Sequence, residues 1–224
     1  HNSRHPTTTP TTKTMASTNT SAADNAVTII GAGLAGSLMA LILQRSGYAV
    51  TMYERYNDVR QIPSVGRSIN LVLTSRGLRA MHALGDSRLL KDMYNLSVPV
   101  TGRVMHQTDG SEVFQRYGKD DSEFNLSISR YELNIYLMNR AEEAGAVIHF
   151  GHTLSSADFF RLGSDEKVLR FTLDGSKTKS VIVSGPIIAA DGAGSRMRYV
   201  LRDAGVLDFT EEFCVQGYKV LVCT

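Results

Sequence analysis

The stretch VTIIGAGLAG, Val27–Gly36, constrains this chain more than any other. An apolar, β-branched run meets glycines at 31, 33 and 36 and passes straight into LMALILQ. That order is strand, tight turn and helix, the opening of a βαβ unit. In such a unit Gly31 permits the turn, Gly33 lets backbone N–H groups approach a pyrophosphate, and Gly36 lets helix and strand pack closely. The helix N-terminus adds partial positive charge where an anion would sit. NAD, NADP and FAD all use turns of this kind, which also occur as plain packing. Glu54 narrows the choice. It follows a second strand, Ala49–Tyr53 (AVTMY), about 20 residues beyond the glycines. An acid there accepts hydrogen bonds from an adenosine ribose and repels a 2′-phosphate, which leaves FAD or NAD.

The helix after the turn reads from about Leu34 to Arg45, with Leu34, Leu38, Leu41 and Ile42 at helical spacing and Gly47 closing it. Past Pro63 and Gly66 the pattern changes. SINLVLT reads as a strand, Gly77–Leu84 as a helix ended by Gly85, and Arg103–Gln107 with Glu112–Arg116 as a hairpin across TDG. Leu133, Leu137, Ala141 and Ala144 line one face of a later helix, followed by AVIHF as a strand. Strands near Val168–Leu173 and Ser180–Val183 flank a polar turn at Asp174–Thr178. IIAADGAG returns to strand and turn, and Ser195–Ala204 reads as a helix. The fold class is α/β: a Rossmann-like domain carrying a β-rich insertion.

Composition excludes more than it identifies. With 42% hydrophobic and 21% charged residues the chain is ordinary globular protein, and a net charge of +2 offers no nucleic-acid surface. Cys214 and Cys223 lie far from any partner at metal spacing and read as ordinary thiols. No apolar run reaches the roughly 18 residues that span a bilayer. Residues 1–25, rich in Thr, Ser, Ala and Pro, are expected to be a disordered leader. The chain begins at His1, and Met15 is a candidate true start; Pro6, Pro10 and the threonines argue against a transit peptide. KVLVCT closes the sequence inside an apolar run, so the domain at 26–224 is expected to be incomplete at its C-terminus.

Three further motifs are ambiguous singly. The polar entry of GRSINLVLT (Gly66–Thr74) suits a strand beside a ligand, or a loop with Asn70 bonded to backbone. Arg130 of ISR, just before a helix, is a phosphate fork or a surface cation. ADGAGSRMR (Ala190–Arg198) gathers N–H donors and a hydroxyl at a helix start, or is a plain Asp-Gly turn. His106 and His149 fall within strands and read as structural.

In combination, GxGxxG near the start, ISR entering a helix and DGxxSxxR later resemble the aromatic-ring flavoprotein hydroxylases, the FAD-dependent group A monooxygenases. Within that family GRSINLVLTSRG, with PVTGRVMHQTDG and RYGKDDSEFNLSISRYELN, is similar to the members that hydroxylate kynurenine. The resemblance implies a bound FAD cradled by Gly31, Gly33, Ala35 and Gly36, with Glu54 on its ribose and Arg55 alongside. It matches Val72, Arg130 and Leu154 to FAD contacts. Asp191 and Gly192, completed by Ser195 and Arg198, match a motif that helps hold FAD and accommodate NADPH. Arg103 matches an arginine that pairs with the carboxylate of L-kynurenine, and Tyr117 a tyrosine beside that substrate. The implied reaction is NADPH- and O2-dependent 3-hydroxylation of L-kynurenine, in tryptophan catabolism and pyridine nucleotide biosynthesis, with no catalytic side chain or metal assigned. The rest of the site would lie beyond Thr224, as would the region that anchors eukaryotic members to the mitochondrial outer membrane. The 224 residues alone are therefore not expected to hydroxylate. Another FAD-dependent hydroxylase or epoxidase, or an inactive FAD-binding module, stands as the alternative.

Overall fold

The computed structural model describes residues 25–61, 69–159, 165–173, 176–215 and 217. The expected leader up to residue 24, the Gly66–Ser68 part of GRSIN, and the terminal KVLVCT lie outside them. The chain runs β1 (Ala26–Ile30), α1 (Leu34–Arg45), β2 (Ala49–Tyr53), β3 (Asn70–Leu73), α2 (Ser75–His82), α3 (Ser87–Asn95) and β4 (Ser97–Val100). It continues through β5 (Gly102–His106), β6 (Glu112–Arg116), β7 (Asn125–Ser129), α4 (Arg130–Glu143) and β8 (Val147–His149). The last elements are β9 (Thr153–Asp158), β10 (Lys167–Leu173), β11 (Lys177–Val183), β12 (Ile187–Ala189) and α5 (Arg196–Asp203).

The central sheet is parallel throughout, in the order β12-β1-β2-β8. Strand periodicity of two sorts its side chains to two faces. Val27, Ile29, Val50 and Met52 join one buried cluster with Ala40 and Leu41 of α1 and Leu137, Met138 and Ala141 of α4. Ile30 and Tyr53 join another with Leu154, Leu169, Phe171 and Val183 of the antiparallel β9–β10–β11 meander and Met197 and Val200 of α5. Burial on both faces is why β1 reads as a nearly continuous apolar run, interrupted only by buried Thr28. Tyr53 stacks on Phe171 with ring centroids 4.5 Å apart, tying the sheet to the meander.

The β-rich insertion is a three-stranded antiparallel sheet, β3-β7-β4, with β5 and β6 as a separate hairpin. Met81 of α2, Leu89 and Met93 of α3 and Ile128 of β7 join the helix-side core. Asp86 organises this corner. Its carboxylate caps α3 by accepting from Arg88 N and Leu89 N, and it pairs with Arg45 of α1 at 2.5 Å and Arg140 of α4 at 2.6 Å. Burial pushes the Asp86 carboxyl up, but the Leu89 amide and the two guanidinium groups outweigh it and hold the group well below the usual carboxylate range. Elsewhere Arg60 links Asp58 at 2.8 Å to Glu142 of α4.

Candidate cofactor site

A cavity of about 710 Å³ opens where the parallel strands end. Segments distant in sequence wall it: Gly31–Leu34 after β1, Tyr53–Asn57 after β2, His152–Leu154 after β8, Ala190–Gly194 after β12, and Arg130, Tyr131, Asn134 and Met138 of α4. The chain leaves β1 toward β2 on one side, while β12 returns on the other, so the sheet order reverses at β1. Ligands of open parallel sheets bind at such a reversal, outside the carboxyl ends of the strands.

The glycine turn is built by its neighbours. Gly31 N donates to Tyr53 O at 2.8 Å and Ala190 N donates to Ile30 O at 2.8 Å, which clasps the turn between β2 and β12. Gly31 has φ +101°, and a Cβ there would lie 2.5 Å from Ala190 O. At Gly36 a Cβ would lie 2.0 Å from Gly31 O, so this position sets how closely α1 approaches the turn. Gly33 differs: a Cβ built on it meets nothing within 4 Å, and the residue borders the cavity. It caps α1 without a side-chain hydrogen bond, and the first turn carries no acid. The leading amides of α1 thus remain available to an anion, and this cradle fits a dinucleotide pyrophosphate.

Glu54 borders the same space and faces the turn. Its Oε2 accepts from Ala32 N at 2.7 Å and its Oε1 from Tyr56 N at 3.0 Å. The carboxylate therefore shapes the turn as well as presenting acceptor lone pairs at the cavity. Arg55 lies 4.6 Å from the Tyr56 ring centroid, and Arg130 starts α4 with its N–H bonded to Ile69 O; both border the cavity, as does buried Leu154.

Other sequence-read residues fall elsewhere. Ala35, Gly36 and Val72 do not border the cavity, and Val72 is 48% exposed on β3. Arg103 and Tyr117 lie on the hairpin, outside the cavity wall. Register pairs Arg103 with Gln115, whose Oε1 accepts from Arg103 Nε at 2.8 Å, and Tyr117 N donates to Thr101 O. Arg103 and Tyr117 are consequently diagonal neighbours on one face of the hairpin.

At DGAGSRMR the donors are spent internally. Ser195 Oγ donates to Asp191 Oδ1 at 2.7 Å and accepts from Arg198 N, while Asp191 Oδ2 accepts from Met197 N at 3.0 Å. Asp191 and Ser195 cap α5, and Asp191–Gly194 with Arg196 border the cavity. Sequence reading also missed His152, Asn134 and Met138 as wall residues. His152 Nδ1 lies 2.7 Å from Phe150 O, so it carries the proton, and Nε2 faces Lys179 Nζ at 3.4 Å. His149 stacks on Tyr53 at 5.0 Å; burial, then the charges of His152 and Lys179, push its pKa down. Among the described residues no helix is long and apolar enough to cross a membrane.

Comparison with known proteins bears on the whole domain. A family described as FAD binding domain matches residues 24–207. Kynurenine 3-monooxygenase of Stenotrophomonas maltophilia (strain K279a) is 40% identical over 200 residues, covering 89% of this chain and 42% of the relative. The protein of that name from Xanthomonas axonopodis pv. citri (strain 306) is 40% identical over 198 residues, covering 87% and 41%. This chain thus spans about two fifths of the length of these curated relatives. Among solved structures, the flavin-dependent monooxygenase PieE in complex with FAD and substrate aligns with a TM-score of 0.64 at 22% identity, covering 80% of this chain and 32% of that one. The p-nitrophenol 4-monooxygenase PnpA from Pseudomonas putida DLL-E4 aligns at 0.62 and 19%, covering 78% and 42%. At those identities the likeness is one of fold. The family match, running from the strand before the glycine turn to past α5, establishes that this chain belongs to the FAD binding domain family.

Proposed function

We propose that this chain is the FAD-holding portion of a monooxygenase that hydroxylates L-kynurenine at ring position 3, using NADPH and O2. The observation that carries the reading is 40% identity to proteins of that activity across nearly nine tenths of the chain. Bound FAD would supply the oxygen chemistry. The residues of this chain would bind, orient and shield. The amides at the head of α1, from the Gly33 cap onward, receive the pyrophosphate, with Arg130 and Arg55 as further counter-charges. Glu54 offers acceptors to the adenosine ribose, the Leu154 segment forms the facing wall, and the Asp191–Gly192 backbone lies alongside. NADPH visits transiently at the same domain and needs no second nucleotide fold.

Arg103 takes the substrate carboxylate. A guanidinium fork remains charged in a partly dry pocket, and its bond to Gln115 through Nε leaves both Nη atoms for a bidentate partner. Tyr117, on the same hairpin face, packs beside the substrate ring. Tryptophan catabolism feeding pyridine nucleotide synthesis, and a seat on the mitochondrial outer membrane in a eukaryotic source, belong to this reading through the resemblance alone.

The test uses full-length enzyme. NADPH oxidation and 3-hydroxykynurenine formation are measured across a panel of aromatic acids. Kynurenine should be preferred, and Arg103→Ala should raise its KM at least tenfold while flavin content stays unchanged, the loss of a charge-assisted pair being worth about 1.5–3 kcal/mol. Preference for another aromatic acid, or an unchanged KM, refutes the substrate assignment.

A further inference from the structure

We infer that Asn134 is a cofactor-binding residue whose amide oxygen accepts a hydrogen bond from a hydroxyl of the bound dinucleotide. The inference rests on the FAD-holding role proposed above. Arg130, Asn134 and Met138 fall at i, i+4 and i+8 on α4, and all three border the cavity. Leu133, Leu137 and Ala141 of the same helix are buried in the core. The cavity-side stripe therefore reads cation, amide, thioether.

An amide is out of place there unless something uses it. Asn134 Nδ2 lies 3.9 Å from Met138 Sδ, a weak acceptor. Turning the amide over would set its oxygen against that sulfur, two acceptors together, so the contact decides which end is which. Oδ1 is left buried with no protein partner. An unpaired buried carbonyl is a standing cost to the folded chain, which leucine would not incur at this position. The torsion that swings the amide has a broad, shallow preference, so reorienting Oδ1 toward the cavity costs little. Arg130, one helical turn earlier, suits a phosphate. The donor that Asn134 serves is then a hydroxyl of the sugar-like chain adjoining that phosphate.

This predicts opposite signs for stability and affinity. In the full chain, Asn134→Leu should leave the melting temperature of the cofactor-free protein unchanged or higher, while the Kd for FAD, read from quenching of flavin fluorescence, rises about 5- to 10-fold. Asn134→Ala, which introduces no bulk, should show the same loss of affinity. Wild-type affinity in both variants overturns the inference and leaves the FAD reading standing. A fall in melting temperature in Asn134→Leu without loss of affinity overturns it too, marking Asn134 as structural. If the wild-type chain takes up no FAD, both readings fall together.

Discussion

Replacing Glu54 with glutamine tests the turn and the cofactor together. The side chain keeps its shape but loses its charge and one of its two acceptor oxygens. Oε2 now holds Ala32 N at 2.7 Å and Oε1 holds Tyr56 N at 3.0 Å. An amide can satisfy one of these N–H groups and must present its own NH2 to the other. The shorter bond to Ala32 should survive, leaving donor against donor at Tyr56, which is exposed. Water relieves that clash, so the cofactor-free protein should lose only about 1 kcal/mol, the net worth of one ordinary hydrogen bond. For a domain of this size that is about 2–4 °C in melting temperature. FAD should suffer more. On the ribose role proposed for Glu54, FAD loses a charged acceptor in a partly enclosed site, worth about 1.5–3 kcal/mol, or a rise of roughly 10- to 150-fold in Kd. A second signature follows from charge alone: 2′-phosphorylated ADP-ribose should gain as a competitor relative to ADP-ribose. The assays are flavin fluorescence titration, competition and a thermal melt. A Kd within twofold of wild type beside the expected small loss of stability would show that Glu54 only builds the turn.

Asp86→Ala should destabilise the chain strongly, because it takes the shared carboxylate from Arg45 and from Arg140, whose side chain is 11% exposed and keeps only the outer Glu143, and it uncaps α3. Breaking a buried pair from one side costs about 3 kcal/mol or more, which corresponds to a melting point roughly 6–12 °C lower at neutral pH; a loss under 2 °C would refute the role given to this cluster. The pH dependence has a definite sign. His149 has its pKa pushed down in the fold, so its contribution is complete above the unfolded value of about 6.5 and is lost as pH falls through the lower folded value. Melting temperature should therefore drop between pH 7.5 and 5.5, above the range where carboxylates titrate. His149→Phe, which keeps a ring against Tyr53, should flatten that slope; an unchanged slope would assign it to another group.

Much of the frame was legible in the sequence. In the β1–α1–β2 unit the helix and second strand were read with their observed bounds and the first strand to within one residue, because the glycines mark the turn and each element carries its own period. The hairpin followed from TDG. Other elements gave weak local signals. α3, SRLLKDMYN, was not read as a helix, since it offers only Leu89 and Met93 as buried positions. β9, TLSSAD, buries Leu154 alone and is a strand because β10 pairs with it. At Asp191 the residues alone left a plain turn and a ligand contact both open: its Oδ1 accepts from the Ser195 hydroxyl and its Oδ2 from Met197 N at the start of α5, and the residue also borders the cavity. The alliance of Arg103 with Tyr117 depends on hairpin register, and the place of Asn134 in the cavity wall depends on how α4 rotates against the sheet. Neither is a property of local sequence.

The clasp on Gly31 ties the site to the order of synthesis. β1 leaves the ribosome early, but the partner that completes its turn, Ala190 beyond β12, comes from the far end of the domain. Pairing across that separation closes a very long loop, so it cannot precede the intervening elements. Until β12 arrives, the head of α1 has no wall on that side and β1 has an open edge that another chain could pair with. On the proposed FAD reading, cofactor uptake waits until β12 has been made and has paired with β1. The glycine turn, made before β12, is completed only after it.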